Sequence, residues 1–492
     1  MAKTKVMKKI LSILLCFLCL TSVSAQEVKT DKKEAAKSHL KQHFKPYGFI
    51  RNYFTYDSRE SWSGTADLYN YQPKDRKLNE FGDDLNAEST FRFLSLTTRV
   101  GLNITGYKWR GTEFGGKIEA DFYAGLSTKS ATLKDADDPN KDVTFKEGHA
   151  VSGVAQFRLR QAYMTLGWDS LPMLKGKDYA RVDLTIGQTW HPMAADLCDA
   201  IALNSGAPFG PFSRSPQVKM DARLGKYVTL TAAGLWQMQY LSIGPGNLTS
   251  AEYMLYGKTP EAYLGLSIHD KGWLFRAGVD VLSICPRHLG SITVLDAEGA
   301  KNITIKVNDR ITTASPFIYL QYKKGEFSFK AKSIFAESGE HMNMYGGYGI
   351  KAINADGSHE YTPIRHSTSW ISIVYGGKVG AQEEKHPQKL QGILFGGYVH
   401  NFGTKEALLD INGDGKYTAD KEFYNPRSAA MNQMWRLSPT LLYTVGKFQL
   451  GLEYEITSVQ YGDGKLNANA LSTNGLHWVT NHRVQLMTKY NF

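Results

Sequence analysis

Cysteine is scarce: four in 492 residues, two of them, Cys16 and Cys19, within the first 25. The remaining Cys198 and Cys285 can form at most one disulfide, which excludes a disulfide-stapled scaffold. Long apolar runs are also missing. Beyond residue 25 no stretch approaches the roughly 20 apolar residues that a membrane-crossing helix needs. Surplus charge is small. The formal net charge is +11, and losing Lys3, Lys5, Lys8 and Lys9 with a leader leaves +7 (11 minus 4), too weak over this length to point to nucleic acid. No Gly-x-Ser-x-Gly occurs, so the nucleophile elbow of an α/β-hydrolase is absent.

The N-terminus carries those four lysines, an apolar run from Ile10 to Leu20 and the small residues Val23-Ser24-Ala25. These read as a cleaved export signal over 1–25; the run of about eleven residues is too short for a spanning anchor. Residues 26–43 then form a short periplasmic segment, too brief for the plug domain of an energised receptor. From residue 44 onward the chain alternates. In "HRVQLMTKYNF" (482–492), His482, Val484, Leu486, Thr488, Tyr490 and Phe492 share one face, and Arg483, Gln485, Met487, Lys489 and Asn491 the other.

Sixteen such strands are expected, near 44–57, 91–107, 112–127, 151–168, 178–191, 213–224, 227–240, 259–270, 272–285, 312–323, 326–337, 363–378, 389–402, 430–444, 448–459 and 477–492. Most exceed the usual five or six residues. Tight turns alternate with long connections, among them 58–90, 192–212, 286–311 and 338–362. An even strand count with tight turns at one end predicts an all-β fold over 44–492: a sixteen-stranded antiparallel transmembrane β-barrel with short periplasmic turns and long extracellular loops. Trp168, Trp273, Tyr322, Phe327, Tyr443, Phe448, Tyr490 and Phe492 keep outward parity beside the tight turns, as an interfacial aromatic girdle would. A soluble β-sandwich or propeller is the competing reading of the same alternation.

The segments "FRLRQAYMTLGW" (157–168), "LTIGQTWHP" (184–192) and "RSPQVKMDARLG" (214–225) resemble those of Gram-negative outer-membrane porins, in particular the phosphate-selective and DcaP-like group. That resemblance implies a homotrimer of barrels in the outer membrane, multi-pass, inserted by the barrel-assembly machinery acting on the strand that ends at Phe492. It also implies a third extracellular loop, here 192–212, folded inward to narrow the pore. The long N-terminal coiled coil of DcaP-like porins and a dense lysine and arginine ladder are both absent. The expected function is a water-filled channel for passive diffusion of small hydrophilic solutes, non-enzymatic and needing no cofactor. A barrel hydrolase and a surface adhesin are the alternatives.

On the lumen parity, thirteen cations (Arg99, Lys117, Arg158, Arg160, Arg181, Lys219, Arg223, Arg276, Lys330, Lys332, Arg436, Arg483, Lys489) face nine acids (Glu113, Glu119, Asp121, Asp183, Asp221, Glu261, Asp280, Glu453, Glu455). The surplus of four suggests a mild anion preference. Pore-lining candidates are Arg99, Arg158, Arg160, Arg181, Lys219, Arg223 and Arg276, with Asp121, Glu119 and Glu453. Arg158 and Arg160 are expected at the constriction, with a bulge near Gln161 because Ala162, Met164 and Leu166 share their parity. Separately, "DINGDGKY" resembles the opening of an EF-hand or dockerin-like Ca²⁺ loop: Asp410, Asn412 and Asp414 as oxygen ligands, the Lys416 carbonyl as a further donor. Lys421 stands at the twelfth position, so Asp420 or Glu422 would complete the shell. "GEHMNMYGG" reads as an ordinary loop rather than a soft-metal site at His341, Met342 and Met344.

Overall fold

Sixteen strands close on themselves in an antiparallel barrel. The structure, a computed structural model, describes residues 43–63, 70–95, 97–123, 129–134, 142–147, 156–169, 180–201, 206–296, 299–380, 387–419, 421–425 and 431–492. The expected export signal, most of the segment 26–43 and Asp420 lie outside these residues.

The staves are β1 (Phe44–Asp57), β2 (Thr90–Leu94 resuming at Arg99–Trp109), β3 (Thr112–Tyr123), β4 (Gln156–Trp168), β5 (Ala180–Trp190), β6 (Arg214–Leu224), β7 (Val228–Leu235) and β8 (Glu261–Asp270). They continue as β9 (Trp273–Asp296), β10 (Gly299–Lys324), β11 (Phe327–Glu337), β12 (His359–Lys378), β13 (Gln388–Thr404), β14 (Met431–Val445), β15 (Phe448–Tyr461) and β16 (His477–Asn491). Each pairs with its neighbours in sequence, and β16 pairs with β1 from Phe49↔Asn491 to Asp57↔Arg483. The Phe492 amide donates to the Gly48 carbonyl at 3.1 Å, so the last residue seals the seam. Closure follows from the solvent: a hydrocarbon environment offers no partner to an unpaired sheet edge.

Alternation sorts the two faces. Along β16, Val484 and Tyr490 are exposed while Arg483 and Gln485 are buried; along β10, Ile318 and Leu320 are exposed while Phe317 and Tyr319 are buried. At the tight-turn end Trp273, Tyr322 and Phe327 form an aromatic row with ring centroids 4.4 and 6.3 Å apart. The turn joining β8 to β9 has positive φ at both Lys271 (46°) and Gly272 (90°), the type I′ geometry that matches strand twist. A Cβ on Gly272 would sit 2.3 Å from the Lys323 carbonyl oxygen, so the turn needs glycine for space as well.

Two expectations change. The stretch 286–311 is not a loop: β9 and β10 run on to 24 and 26 residues and pair as far as Asp296↔Gly299. The register shifts between Ile284, Arg287 and Leu289, which accommodates Pro286 and carries the strand past the expected end at 285. Secondly, the 338–347 stretch is not an ordinary surface loop, since His341, Met342, Met344 and Tyr345 are all buried.

Candidate functional site: a basic lane beside inward loops

Three connections enter the barrel. Residues 192–201 and 206–212 enter the lumen, and polar groups on six strands hold them. Tyr53 of β1 donates to the Ile201 carbonyl (2.7 Å), and the Ile201 amide donates to Glu453 of β15 (3.0 Å). Lys330 of β11 pairs with Asp199 (2.7 Å), and Arg276 of β9 pairs with Asp196. Lys332 donates to the Met193 carbonyl, Thr368 of β12 to that of Phe209 (2.6 Å), and Arg436 of β14 to that of Ala207 (3.1 Å). On β13, Gly397 leaves a notch: a Cβ there would meet the Phe209 ring at 2.5 Å.

The other two segments lock onto the first. Arg436 also donates to the carbonyls of Asn70 (3.0 Å) and Tyr71 (3.2 Å) from the β1–β2 connection. Phe212 donates its amide to the Met342 carbonyl (2.8 Å), tying in the β11–β12 connection, and Tyr345 reaches Gln72. Around these anchors Tyr71, Met193, Phe209, Met342, Tyr345, Trp370, Phe395 and Tyr461 form an apolar core inside the lumen. Cys198 and Cys285 are both buried and free, and burial pushes the Cys198 thiol up to about 12, so it stays protonated and inert.

This core occupies the side of β11 to β16, where Arg436 and Glu453 are 1–2% exposed. The opposite wall stays wetter: the side chains of Arg99, Lys117, Arg158 and Lys219 keep 19–25% exposure. Along it Arg160 Nε donates to Glu119 (2.9 Å) and its Nη1 to Asp121 (2.7 Å), while Arg158 grips Asp121 through two bonds (3.0 and 3.1 Å). Arg99 and Lys117 each lie 3.5 Å from Glu119, and the Tyr47 hydroxyl donates to the same carboxylate (2.7 Å). The bulge is present: Glu119 pairs with Gln161 and Ala120 with Leu159, so Arg160 and Gln161 both point inward while Met164 faces out.

Three cations of this wall make no ion pair among the described residues. The Arg51 side chain donates to Thr97 (2.9 Å), Lys489 lies 4.5 Å from the Phe49 ring centroid, and Arg214, 2% exposed, lies 5.0 Å from that of Trp190. Sequence parity missed two of them. Arg51 shares a face with Phe49 and Tyr53, so its strand's alternation could have exposed it. Arg214 has the parity of the outward Val218 and Met220, and only the folded strand end shows it turned inward. Seven cations (Arg51, Arg99, Lys117, Arg158, Arg160, Arg214, Lys489) thus face two carboxylates, Glu119 and Asp121.

Towards the tight-turn end a cavity of about 1200 Å³ opens beneath residues 192–195. Its walls carry Lys219, Arg223, Lys226, Lys271, Arg276 and Lys323 against Asp221 and Asp270. Arg181 stands apart, bonded to Asp183 (2.8 Å), Asp169 (2.7 Å) and Glu113 (3.1 Å). Glu453 is no free lumen charge, since Thr440 (2.6 Å) and the Ile201 amide take up one of its oxygens.

The 410–416 stretch is exposed and coiled around Asp410, whose carboxylate accepts the amides of Asp414 (3.2 Å) and Gly415 (2.7 Å). Asp414 accepts the Lys416 amide (3.0 Å). Asn412 is exposed, and Glu422 is buried with one oxygen bonded to the Thr418 amide (2.8 Å) and hydroxyl (2.9 Å).

A closed sixteen-stranded barrel with an apolar outer belt and inward loops is the fold of an outer-membrane porin. The likeness to DcaP of Acinetobacter baumannii covers 91% of this chain and 97% of that one, at a TM-score of 0.55 and 17% identity. Pseudomonas putida OprB covers 96% of this chain at TM-score 0.44 and 10% identity, 99% of its own length being matched. An anion-selective porin from Comamonas acidovorans covers 91% at TM-score 0.43 and 10% identity, with 99% of that chain matched. No protein-family model matches the sequence, and no curated protein sequence matches it.

Proposed function

We propose that this chain is a passive diffusion channel of the outer membrane that favours small hydrophilic anions, works as a homotrimer and catalyses no reaction. One observation carries the anion preference: one wall of the lumen sets seven cations, of which Arg99, Lys117 and Arg158 keep partial exposure, against two carboxylates, and the cavity below continues the imbalance. A fixed field of one sign in a narrow aqueous path concentrates counter-ions and repels co-ions. The acids of the inward connection do not offset it, because Asp196 and Asp199 are already paired with Arg276 and Lys330.

Purified protein in planar bilayers under a salt gradient is expected to give discrete conductance steps and a reversal potential of anion-selective sign. A cation-selective sign would refute the preference, and absence of steps would refute the channel. We also propose that residues 410–416 hold Ca²⁺, supported by the Asp410, Asn412 and Asp414 spacing and the coil around Asp410. Added Ca²⁺ should raise the unfolding temperature of the wild type and leave Asp414→Ala unmoved; coincident titration curves would remove the idea.

A further inference from the structure

Deep in the lumen, away from the basic lane, four ionisable side chains from four segments meet. They are His191 at the end of β5, Glu261 of β8, Asp280 of β9 and His341 of the β11–β12 connection, each 1–2% exposed. His191 Nε2 lies 2.8 Å from Glu261 Oε1 and 3.4 Å from Asp280 Oδ1; His341 Nε2 lies 3.3 Å from Glu261 Oε1 and 3.7 Å from Asp280 Oδ2. Nitrogen and oxygen alternate around a ring. Donor atoms about 2.1 Å from one shared ion stand roughly 3.0–3.5 Å apart; one ligand atom each of His191, Glu261 and Asp280 lie within 4.8 Å of one another, so these three can converge on a single ion, with His341 next to the two carboxylates.

Hydrogen bonding points the same way. Glu261 Oε2, Asp280 Oδ1 and His341 Nε2 are buried without a hydrogen-bond partner, whereas buried polar atoms are ordinarily satisfied. The other nitrogen of His341, Nδ1, lies 3.1 Å from the Ser338 carbonyl, which accepts its N–H and leaves the Nε2 lone pair aimed at the carboxylates. That is the outer-shell support of a metal-bound histidine.

We infer that His191, Glu261 and Asp280 form a site for one divalent transition-metal ion of the Zn²⁺ class, with the adjacent His341 drawn in as the fourth ligand. Two imidazoles and two carboxylates are the donor set such an ion takes, and two negative charges balance it. His191 adds a coupling. Its Nδ1 accepts the Met193 amide (3.1 Å), so without metal its proton sits on Nε2. Ion entry moves that proton to Nδ1, loosening the Met193 contact at the root of the 192–212 crossing. The ion would join both inward connections to the wall at Glu261 and Asp280.

The test uses tag-free protein in detergent, loaded with Zn²⁺ or Co²⁺ and exchanged into metal-free buffer. Elemental analysis is expected to find one ion per chain in the wild type and less than about a fifth of that in His341→Gln and Asp280→Asn. Bound Co²⁺ should show visible d–d absorption that both variants lose, and chelation should lower the wild-type unfolding temperature. A wild type without bound metal would overturn the inference even if both variants misfold, leaving a ring joined by protons alone. Equal stoichiometry in folded variants would overturn it as adventitious surface binding.

Discussion

Arg214→Gln is expected to lower the anion-to-cation permeability ratio several-fold while leaving the barrel's unfolding temperature within a degree or two. Arg214 is buried in the chain, lies over Trp190 and has no carboxylate partner among the described residues, so its removal orphans none of the described acids. Two unit charges about 5 Å apart interact by roughly 1 kcal/mol in bulk water and several times more near protein, and every factor of ten in a ratio needs only about 1.4 kcal/mol. Arg160→Gln is the informative contrast. Arg160 bridges Glu119 and Asp121, both buried, so its loss should destabilise the barrel by a few kcal/mol as well as shift selectivity. Reversal potentials and melting curves of the two variants separate these outcomes; an unchanged ratio in Arg214→Gln would show that the lane does not set selectivity.

Arg436→Met should release the inward connections and raise single-channel conductance about two-fold. One guanidinium holds the carbonyls of Ala207, Asn70 and Tyr71, the Thr457 hydroxyl and Glu455 (3.4 Å), all buried. Breaking a buried pair of this kind costs about 3–5 kcal/mol, because the remaining charge loses its partner. Methionine fills similar volume, so the loss is chiefly polar. The double variant Arg436→Met with Glu455→Gln should recover part of the stability and keep the higher conductance, since it removes the stranded acid without rebuilding the seat. Unchanged conductance in both would mean that these connections do not restrict the path.

Much of this fold was legible before any coordinates. Sixteen strands stand where alternation placed them, and even the bulge at Arg160 and Gln161 could be deduced, because Met164 and Leu166 would otherwise have faced water. Alternation ended two strands too early. The expected limits at 285 and 312 are passed because a register shift at Ile284 to Leu289 lets β9 and β10 continue. Of the pore-lining candidates, Arg99, Arg158, Arg160, Glu119 and Asp121 come together on one wall, Lys219, Arg223 and Arg276 around the cavity, and Glu453 beneath the inward connection. Parity states that a side chain faces inward; it does not say whether a connection from elsewhere will cover it.

The amino-acid order by itself determined the barrel: strand period, strand count and the aromatic end row follow from which faces lipid and water can each accept, a local property repeated every second residue. Tertiary structure alone decided how the interior is divided. Whether a lumen arginine meets solvent or a carbonyl, and whether His191, Glu261, Asp280 and His341 meet at all, depends on contacts between residues up to 366 positions apart (436 minus 70). No periodicity encodes such contacts, because they arise only when closure brings distant staves and their connections into one enclosed volume.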